Sequence, residues 1–304
     1  MSAGTGETMV RKEMVVVKIG GNALEGGADL DAIAHDAAAV MADGGQVIVV
    51  FGGGPQIDEE LERRGIRSVF QKGLRVTSAP MLEAVRAALC EQVGPSIVAA
   101  FAAAGLVARL IPGDEGMLRA RRRTVDIDGE SSDWGYVGEV VGVETGSLDA
   151  AFAAGEVPVV AGIAADEAGQ RFNVNADTAA GAIAGALGAD RLVMLTDVAG
   201  LLASWPDESS LIPSLTATEL AFLLPTLGAG MIPKMEACLR AVEAGAQEAV
   251  VVDGRVPHCV ARALDDSIPF GTKVVAHEQR EVDLALAGRD DAGVPPAVAD
   301  VGAR

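Results

Sequence analysis

A short apolar run that ends in three consecutive glycines sets the architecture expected for this chain. Residues 47–51 read Val-Ile-Val-Val-Phe, and Gly52, Gly53, Gly54 and Pro55 follow directly. The apolar run predicts a strand that is buried on both faces, and proline suits the first turn of a helix. Because glycines let backbone N–H groups approach a ligand, this strand, loop and helix N-terminus predict an anion site. A tight turn without a ligand is the simpler alternative.

Composition narrows the class of protein and the kind of ligand. The chain has 304 residues, of which 50% are hydrophobic and 22% are charged, and its net charge is −19. These values predict a globular protein that binds neither nucleic acid nor an anionic membrane surface. The three cysteines have no metal-ligand spacing, so we expect a reducing compartment and no cysteine-held metal. The sequence contains no recognisable signal peptide or spanning segment, and we expect a cytoplasmic protein.

Strand-like and helix-like segments alternate along most of the chain. This alternation predicts an α/β fold with an open, mostly parallel sheet covered by helices on both faces. In such a sheet, ligands bind beyond the carboxyl ends of the strands. Two regions differ from the rest of the chain. Residues 81–104 predict one or two alanine-rich helices broken near Gly94 and Pro95, and residues 113–143 predict hairpins that project from the main sheet.

A few charged side chains next to glycines or strand ends could carry chemistry. Lys18 and Lys234 lie beside glycines, Arg75 lies in a polar loop, and Asp177 precedes an apolar helix. Taken singly, the lysines and the arginine are expected to be surface cations, and Asp177 is expected to cap its helix. The histidines, which fall in helices or in the charged tail, are interpreted as incidental, so a Ser-His-Asp hydrolase is poorly supported.

Phosphoryl transfer fits this set of residues better than other chemistries. It depends on positioning and on stabilising negative charge, which lysines and glycine N–H groups can do. A carboxylate acceptor is already ionised at pH 7 and therefore needs no general base. A site with two lysines, glycine N–H groups and no histidine is what a carboxylate kinase requires.

Seven motifs occur in order over residues 14–276. They read Lys18-Ile-Gly-Gly, Val50-Phe-Gly-Gly-Gly-Pro-Gln-Ile-Asp, Gly73-Leu-Arg-Val-Thr, Gly135-Tyr-Val-Gly-Glu-Val, Phe172-Asn-Val-Asn-Ala-Asp-Thr-Ala-Ala-Gly, Leu195-Thr-Asp-Val-Ala-Gly and Gly230-Met-Ile-Pro-Lys. Any one of them is a weak signal, whereas the collinear set is specific. By these motifs the chain resembles the amino-acid kinase family, and most closely its members that phosphorylate N-acetylglutamate.

The resemblance implies an activity and an organisation into lobes. It implies the carbamate kinase-like fold, with an eight-stranded, mostly parallel sheet between helices. Residues 14–188 would form an N-terminal lobe that binds the acyl-amino acid and mediates dimerisation, and residues 189–276 a C-terminal lobe that binds ATP. Residues 1–13 are expected to be a flexible arm and residues 277–304 a disordered tail. The implied reaction is ATP-dependent phosphorylation of the side-chain carboxylate of N-acetyl-L-glutamate in arginine biosynthesis, with Mg²⁺ held mainly by the phosphates.

The resemblance also implies catalytic roles. Lys18 and Lys234 would flank the phosphoryl group during transfer, and Asp177 would orient both lysines. Gly53 and Gly54 would donate N–H groups to the phosphoryl group or the attacking carboxylate. A methyl group at Gly53 is therefore expected to block the path of the phosphoryl group.

Further residues would bind the two substrates. Arg75 and Asn173 would hold the α-carboxylate and the acylamide of the amino acid. The nucleotide would be lined by Gly20, Gly21, Asp197, Val198, Ala199, Gly200, Leu201, Leu202, Thr226, Leu227 and Gly228.

One departure and two alternatives accompany the resemblance. Phe51 stands where the family usually has histidine, which is expected to change the polarity of the pocket. Residues 205–209 resemble a relative that phosphorylates α-aminoadipate on a carrier protein, so a kinase for another N-blocked acidic amino acid is one alternative. A non-catalytic sensor of amino acid or nucleotide is the other, although such a protein has no reason to keep Lys18, Asp177 and Lys234 together.

The sequence also leads to an expectation about assembly. The alanine- and valine-rich helix over residues 81–90 is expected beside the sheet edge, where it could continue the sheet across a two-fold axis. Closed two-fold dimers are the commonest oligomers, so we expect a homodimer as the minimal unit.

Overall fold

The computed structural model describes most of the chain: residues 12–21, 24, 29–71, 74–124, 133–228 and 230–276. The predicted tail over residues 277–304 lies outside the described residues, as does the predicted arm over residues 1–13 apart from its last two residues. Within the described part of the chain, no helix is long and apolar enough to cross a membrane.

Strands and helices alternate as the sequence predicts. The strands are β1 (Met14–Ile19), β2 (Gln46–Phe51), β3 (Phe70–Gln71), β4 (Leu74–Arg75), β5 (Ala108–Pro112), β6 (Leu118–Arg122), β7 (Gly138–Val143), β8 (Val157–Ala161), β9 (Ile163–Ala165), β10 (Arg171–Asn173), β11 (Arg191–Thr196), β12 (Ser214–Thr216), β13 (Glu248–Asp253) and β14 (Thr272–Val275). The helices are α1 (Leu30–Ala42), α2 (Gly54–Arg63), α3 (Ala79–Ala87), α4 (Gly94–Ala103), α5 (Gly146–Ala153), α6 (Ala176–Leu187), α7 (Ala217–Leu223), α8 (Ile232–Glu243) and α9 (Cys259–Leu264).

The main sheet has eight strands in the order β12-β14-β13-β11-β1-β2-β8-β5. All neighbouring pairs in it are parallel except β13 and β14, which are antiparallel. The predicted open, mostly parallel, eight-stranded sheet is therefore confirmed. Ile19 at the end of β1 pairs with Phe51 of β2 and with Leu195 of β11, so these three strands end at the same edge of the sheet.

Alternate residues of the central strands pack on opposite faces of the sheet, as the two-residue period of a strand requires. Val15, Val17 and Ile19 join a buried cluster with side chains of α1, α2, α3, α4 and α9. Val16 and Ile48 join the cluster on the other face, which is covered by α5, α6, α7 and α8. Both faces of the sheet are therefore buried, which is why the sequences of the central strands are continuous apolar runs.

The predicted hairpin region forms part of a second sheet with the strand order β10-β9-β6-β7. Strands β6 and β7 pair antiparallel, as the turn signals in residues 113–143 predict, whereas residues 125–132 lie outside the described part. Arg119 and Arg121 of β6 form exposed ion pairs with Glu144, Glu167 and Glu139, which fits a solvated face. The three-residue strands β9 and β10, which complete this sheet, were missed by the sequence analysis.

The alanine-rich region forms two α-helices, and the second begins at Gly94, where the sequence predicts a break, although no non-helical residue separates them. Helices α3 and α4 are joined by a π-helical segment, Ala88–Val93, and Gly94 donates its N–H to the carbonyl of Leu89. Pro95 lies in the first turn of α4, where its missing N–H costs no hydrogen bond within that helix. A Cβ at Gly94 would lie 2.6 Å from the side chain of Leu110, so glycine here allows β5 to pack closely.

Candidate active site

Close packing of α6 against α8 brings the polar start of α6 next to the start of α8. Ideal Cβ atoms at Gly181 and Gly185 of α6 would lie 2.6 Å from the carbonyl oxygen of Ala237 and 2.5 Å from the Cβ of Ala244. Only glycine therefore permits this approach of the two helices. As a consequence Asp177, in the first turn of α6, lies beside Lys234, in the first turn of α8.

Asp177 is shared between two lysines. Its Oδ1 lies 2.5 Å from Nζ of Lys18, which sits near the end of β1, and its Oδ2 lies 3.4 Å from Nζ of Lys234. The side chains of Lys18 and Asp177 are only 5% and 7% exposed, whereas that of Lys234 is 23% exposed. Lys18 is therefore not an ordinary surface cation, which is the alternative to a catalytic role for each lysine taken singly.

Burial and the neighbouring charges act in opposite directions on the pKa values of this trio. Burial raises the pKa of Asp177, but Lys18 and Lys234 outweigh it and leave that pKa below its ordinary value. Burial lowers the pKa of Lys18; Asp177 opposes this shift and Lys234 adds to it. The Asp177 carboxylate therefore stays ionised at neutral pH and faces both lysine side chains.

The capping role considered for Asp177 is also wrong. Asn175 is the N-cap of α6, and its Oδ1 accepts hydrogen bonds from the N–H groups of Asp177 at 2.7 Å and Thr178 at 3.1 Å. Because Asn175 satisfies these donors, the Asp177 carboxylate is left for the two lysines.

The two glycine loops pack against each other at the ends of β1 and β2. A Cβ at Gly21 would lie 2.5 Å from the backbone nitrogen of Gly54, and one at Gly20 would lie 3.1 Å from Nζ of Lys18. Within the described residues, no acceptor is bonded to the N–H of Gly53 or of Gly54. These two N–H groups and two ammonium groups can together stabilise a multiply charged anion.

Gly53 and Gly54, in the loop that follows β2, differ in where a side chain would point. A Cβ at Gly53 would lie 3.1 Å from Cδ2 of Leu89 and 3.2 Å from Cγ2 of Val93, inside the core, whereas a Cβ at Gly54 would meet nothing within 4 Å. The expectation that a methyl group at Gly53 stands in the path of the ligand is therefore wrong. Gly54 is the position at which a methyl group would enter open space.

A cavity of about 920 Å³ connects these parts. It is lined by Lys18, Asp177 and Lys234 and by both glycine loops. Every other site residue predicted from the sequence lines it too, except Ala199, Arg75 and Asn173. The sequence analysis missed several lining residues, which include Asn175, Trp205, Ile212, Leu223 and Met231. Asn175 could have been found from its place at the head of α6, because asparagine is a favoured N-cap.

Arg75 and Asn173 lie together in a network beside this cavity. Arg75 is 7% exposed, so its interpretation as a surface cation is wrong. Its guanidinium donates to Asp58 and Ser68 and, at 3.2 Å, to the carbonyl of Gly54. The guanidinium is thus tied to the glycine loop.

A single threonine connects the two residues of the network. Asn173 donates to Oγ1 of Thr77 at 3.2 Å, and Thr77 donates to the carbonyl of Arg75 at 2.8 Å. The side chain of Thr77 therefore bridges Asn173 and the backbone of Arg75.

Phe51 does not change the polarity of the cavity as expected. Its side chain is fully buried and belongs to the apolar cluster that includes Val49, Leu61 and Leu89. It is also absent from the residues that line the cavity. The reason is its position in β2, where it points to the same face of the sheet as Val47 and Val49.

His35 and His258 are not among the residues that line the cavity. Nδ1 of His258 lies 2.7 Å from Oδ1 of Asp36, and Nδ1 of His35 lies 2.6 Å from the carbonyl of Asp31. His277 lies outside the described residues. Among those that are described, no group of three or more His, Cys, Asp or Glu side chains could hold a metal ion.

Comparisons with known proteins agree with this geometry. Residues 13–253 match the model of the amino acid kinase family. An acetylglutamate kinase of an Arthrobacter species is 47% identical, and the match covers 87% of this chain and 88% of the relative. One from Saccharopolyspora erythraea is 48% identical, with 86% of each chain covered. A carbamate kinase from Giardia lamblia bound to AMP-PNP has the same fold, with a TM-score of 0.62 at 15% identity over 87% of this chain and 98% of its own.

Proposed function

The chain belongs to the amino acid kinase family, and we propose that it transfers the γ-phosphoryl group of ATP to the side-chain carboxylate of N-acetyl-L-glutamate. The products are ADP and an acyl phosphate. The observation that carries this proposal is the Lys18–Asp177–Lys234 trio beside two glycine loops. The acceptor follows from the acetylglutamate kinases that are 46–48% identical over most of the chain.

In the proposed mechanism the protein stabilises charge and does not act as a base. A carboxylate oxygen of the acceptor attacks the γ-phosphorus, and the bond from that phosphorus to the bridging oxygen of ADP breaks. Negative charge then lies on the oxygens of the transferring group. Lys18 approaches this charge from the end of β1 and Lys234 from the start of α8. The N–H groups of Gly53 and Gly54 approach it from the glycine loop.

Asp177 is proposed to position both lysines. Its two carboxylate oxygens face one ammonium group each, at 2.5 and 3.4 Å. Because both oxygens are occupied in this way, Asp177 is not proposed as a metal ligand. The Mg²⁺ that accompanies ATP is proposed to be held mainly by the phosphates, where it neutralises part of their charge.

The acceptor is proposed to contact Arg75 and Asn173 as well as the glycine loop. Arg75 is bound to Gly54 through the carbonyl of that glycine, and Asn173 is joined to Arg75 through Thr77. Asp58, which now pairs with Arg75, is 47% exposed at its side chain and has room to turn towards solvent. A substrate α-carboxylate can then take the place of the Asp58 carboxylate on the guanidinium.

Two lobes are proposed on the basis of the sheet order. Strands β1, β2, β8 and β5 come from residues 14–188 and form one half of the sheet, whereas β11, β13, β14 and β12 come from residues 189–276 and form the other. Lys18 lies in the first half and Asp197 follows a strand of the second. The phosphoryl group would then pass between a lobe that binds the acceptor and a lobe that binds ATP.

A homodimer is proposed as the minimal assembly. Strand β5 is the edge strand on the side of the proposed acceptor lobe, and α4 packs on it in place of the predicted helix over residues 81–90. An exposed edge of this kind can pair with a second copy across a two-fold axis. Light scattering at micromolar concentration should give the mass of a dimer, and the mass of a monomer would contradict this proposal.

The acceptor is tested by measuring ADP release with N-acetyl-L-glutamate, N-acetyl-L-aspartate and N-acetyl-L-α-aminoadipate as alternative substrates. We expect the highest kcat/KM with N-acetyl-L-glutamate. A clear preference for the aminoadipate compound would favour the carrier-linked alternative. ADP release that does not depend on any of the three would contradict the proposed function.

A further inference from the structure

Trp205 stands out among the residues around the cavity. It lines the cavity together with Leu202 and Ile212, yet its side chain is 73% exposed. Among the described lining residues it alone carries an aromatic ring. Single exposed apolar side chains are common on protein surfaces, so it is the position of this ring in the cavity lining that makes it a candidate ligand contact.

The loop that carries Trp205 is held in place by its own hydrogen bonds. The N–H of Ala203 donates to the carbonyl of Ser210 at 2.9 Å, and the N–H of Ser204 donates to Oγ of Ser210 at 3.0 Å. At the base of the loop, the N–H of Leu201 donates to Oγ1 of Thr272 at 2.8 Å. The indole is thus presented from an ordered loop, which lowers the entropy lost when a ligand binds.

The cavity has a charged end and an apolar end. Among the described lining residues, its cations are Lys18 and Lys234. The apolar end is built from the loop between β11 and β12 and from side chains near α7, such as Leu223 and Leu227. Strand β12 lies four inter-strand spacings from β1, or roughly 19 Å. A ligand that reaches both ends must be elongated, as a nucleoside triphosphate is.

Charge determines which end of such a ligand meets Trp205. Asp207 and Glu208 follow Trp205 in the same loop, whereas Asp197 lines the cavity and interacts with Lys18. Arg255 interacts with Asp197 and Glu208 but is already paired with Asp253 at 2.8 Å. This acidic surrounding disfavours phosphates and leaves the uncharged base as the part of the nucleotide that fits beside the indole.

We infer that Trp205 stacks on the base of the nucleotide and so sets the affinity of this protein for ATP. The inference rests on the proposed kinase function for the identity of the ligand. Stacking of a base on an aromatic side chain, measured by alanine substitution, changes affinity by roughly 5- to 150-fold. Trp205→Ala should therefore raise KM for ATP by that factor and leave KM for N-acetyl-L-glutamate unchanged.

The chain offers matched controls for this kinetic test. Trp205→Phe keeps an aromatic face and should retain most of the affinity for ATP. Phe222→Ala removes another strongly exposed ring, 83% exposed, that does not line the cavity, and it should leave both KM values unchanged. An unchanged KM for ATP in Trp205→Ala, or a rise confined to the acceptor, would overturn the inference.

Fluorescence tests the contact without turnover. The chain has two tryptophans, and the other, Trp134, is fully buried and does not line the cavity. Titration with ADP should therefore quench or shift the emission of Trp205, and the change should disappear in Trp205→Phe although calorimetry still detects ADP binding. A change that persists in Trp205→Phe would contradict the inference.

The two measurements separate this inference from the proposed function. Acetylglutamate-dependent ADP release together with a persistent fluorescence change in Trp205→Phe would refute only the stacking of Trp205. A fluorescence change that disappears in Trp205→Phe, in a protein that phosphorylates none of the acceptors, would support the stacking and refute the proposed function.

Discussion

The substitutions Gly53→Ala and Gly54→Ala should have opposite effects on stability, although the two glycines are adjacent. A Cβ at Gly53 would lie 3.1 and 3.2 Å from the side chains of Leu89 and Val93, which is closer than ordinary contact. Overpacking of this kind costs about 1–3 kcal/mol. Each kcal/mol lowers Tm by roughly 2–4 °C in domains of 150–250 residues. We therefore expect Gly53→Ala to have a lower Tm than the parent protein.

Gly54→Ala should be at least as stable as the parent protein and much less active. A Cβ there meets nothing within 4 Å, and alanine in place of glycine at an unstrained position stabilises a fold by about 0.4–1 kcal/mol. The added methyl group, however, would stand in the cavity where the phosphoryl group must approach the N–H groups. A displacement of 1 Å can cost about 100-fold in rate, so kcat should fall by that order.

Thermal unfolding and steady-state kinetics of the two variants test this pair of predictions. The account predicts a lower Tm for Gly53→Ala and a lower kcat with an unchanged or higher Tm for Gly54→Ala. The reasoning is refuted if Gly54→Ala keeps the kcat of the parent. It is also refuted if Gly53→Ala loses its activity while its Tm is unchanged.

Three further predictions concern charged side chains. Arg75→Lys should raise KM for N-acetyl-L-glutamate and not KM for ATP, because lysine cannot make a bidentate contact with a carboxylate; a rise confined to ATP would contradict this. Hydrogen bonding from Arg63, opposed by burial and helped by further donors, lowers the pKa of Glu60 from 4.5 to about 2. A lowered pKa means that stability is present above pH 4.5 and is lost as the pH falls from there towards 2, so Glu60→Gln should flatten this dependence in urea unfolding, and identical slopes would contradict it. Lys18→Met and Lys234→Met should be non-additive in kcat because both stabilise one charge, which a double-mutant cycle measures.

Local sequence signals predicted the central parts of the fold and the site. The apolar runs of β1, β2 and β11 and the glycines that follow two of them announce buried strands that end in loops. Because parallel strands end at one edge of the sheet, Lys18 and the glycine loops were expected to lie together, and they do. The missed strands β9, β10 and β12 have three residues each, which is too few for a periodic pattern.

Other features depend on packing between distant segments and could not be predicted from local patterns. The direction of a side chain at Gly53 is decided by Leu89 and Val93, which lie more than thirty residues further along the chain. The place of Trp205 at the cavity depends on the loop between β11 and β12. The burial of Phe51 is different, because its parity with Val47 and Val49 in β2 could have predicted it.

The central claim is that the pair of lysines held by Asp177 drives phosphoryl transfer to a carboxylate, and trapping the product tests it most directly. Hydroxylamine converts an acyl phosphate to a hydroxamate, which should form in equal amount to ADP when the protein is given ATP and N-acetyl-L-glutamate. Lys234→Met should slow this reaction by about 100-fold or more. Arg240→Met, which changes an exposed residue of the same helix that pairs with Glu236, should not slow it. Hydroxamate formation at the parent rate by folded Lys234→Met would contradict the account.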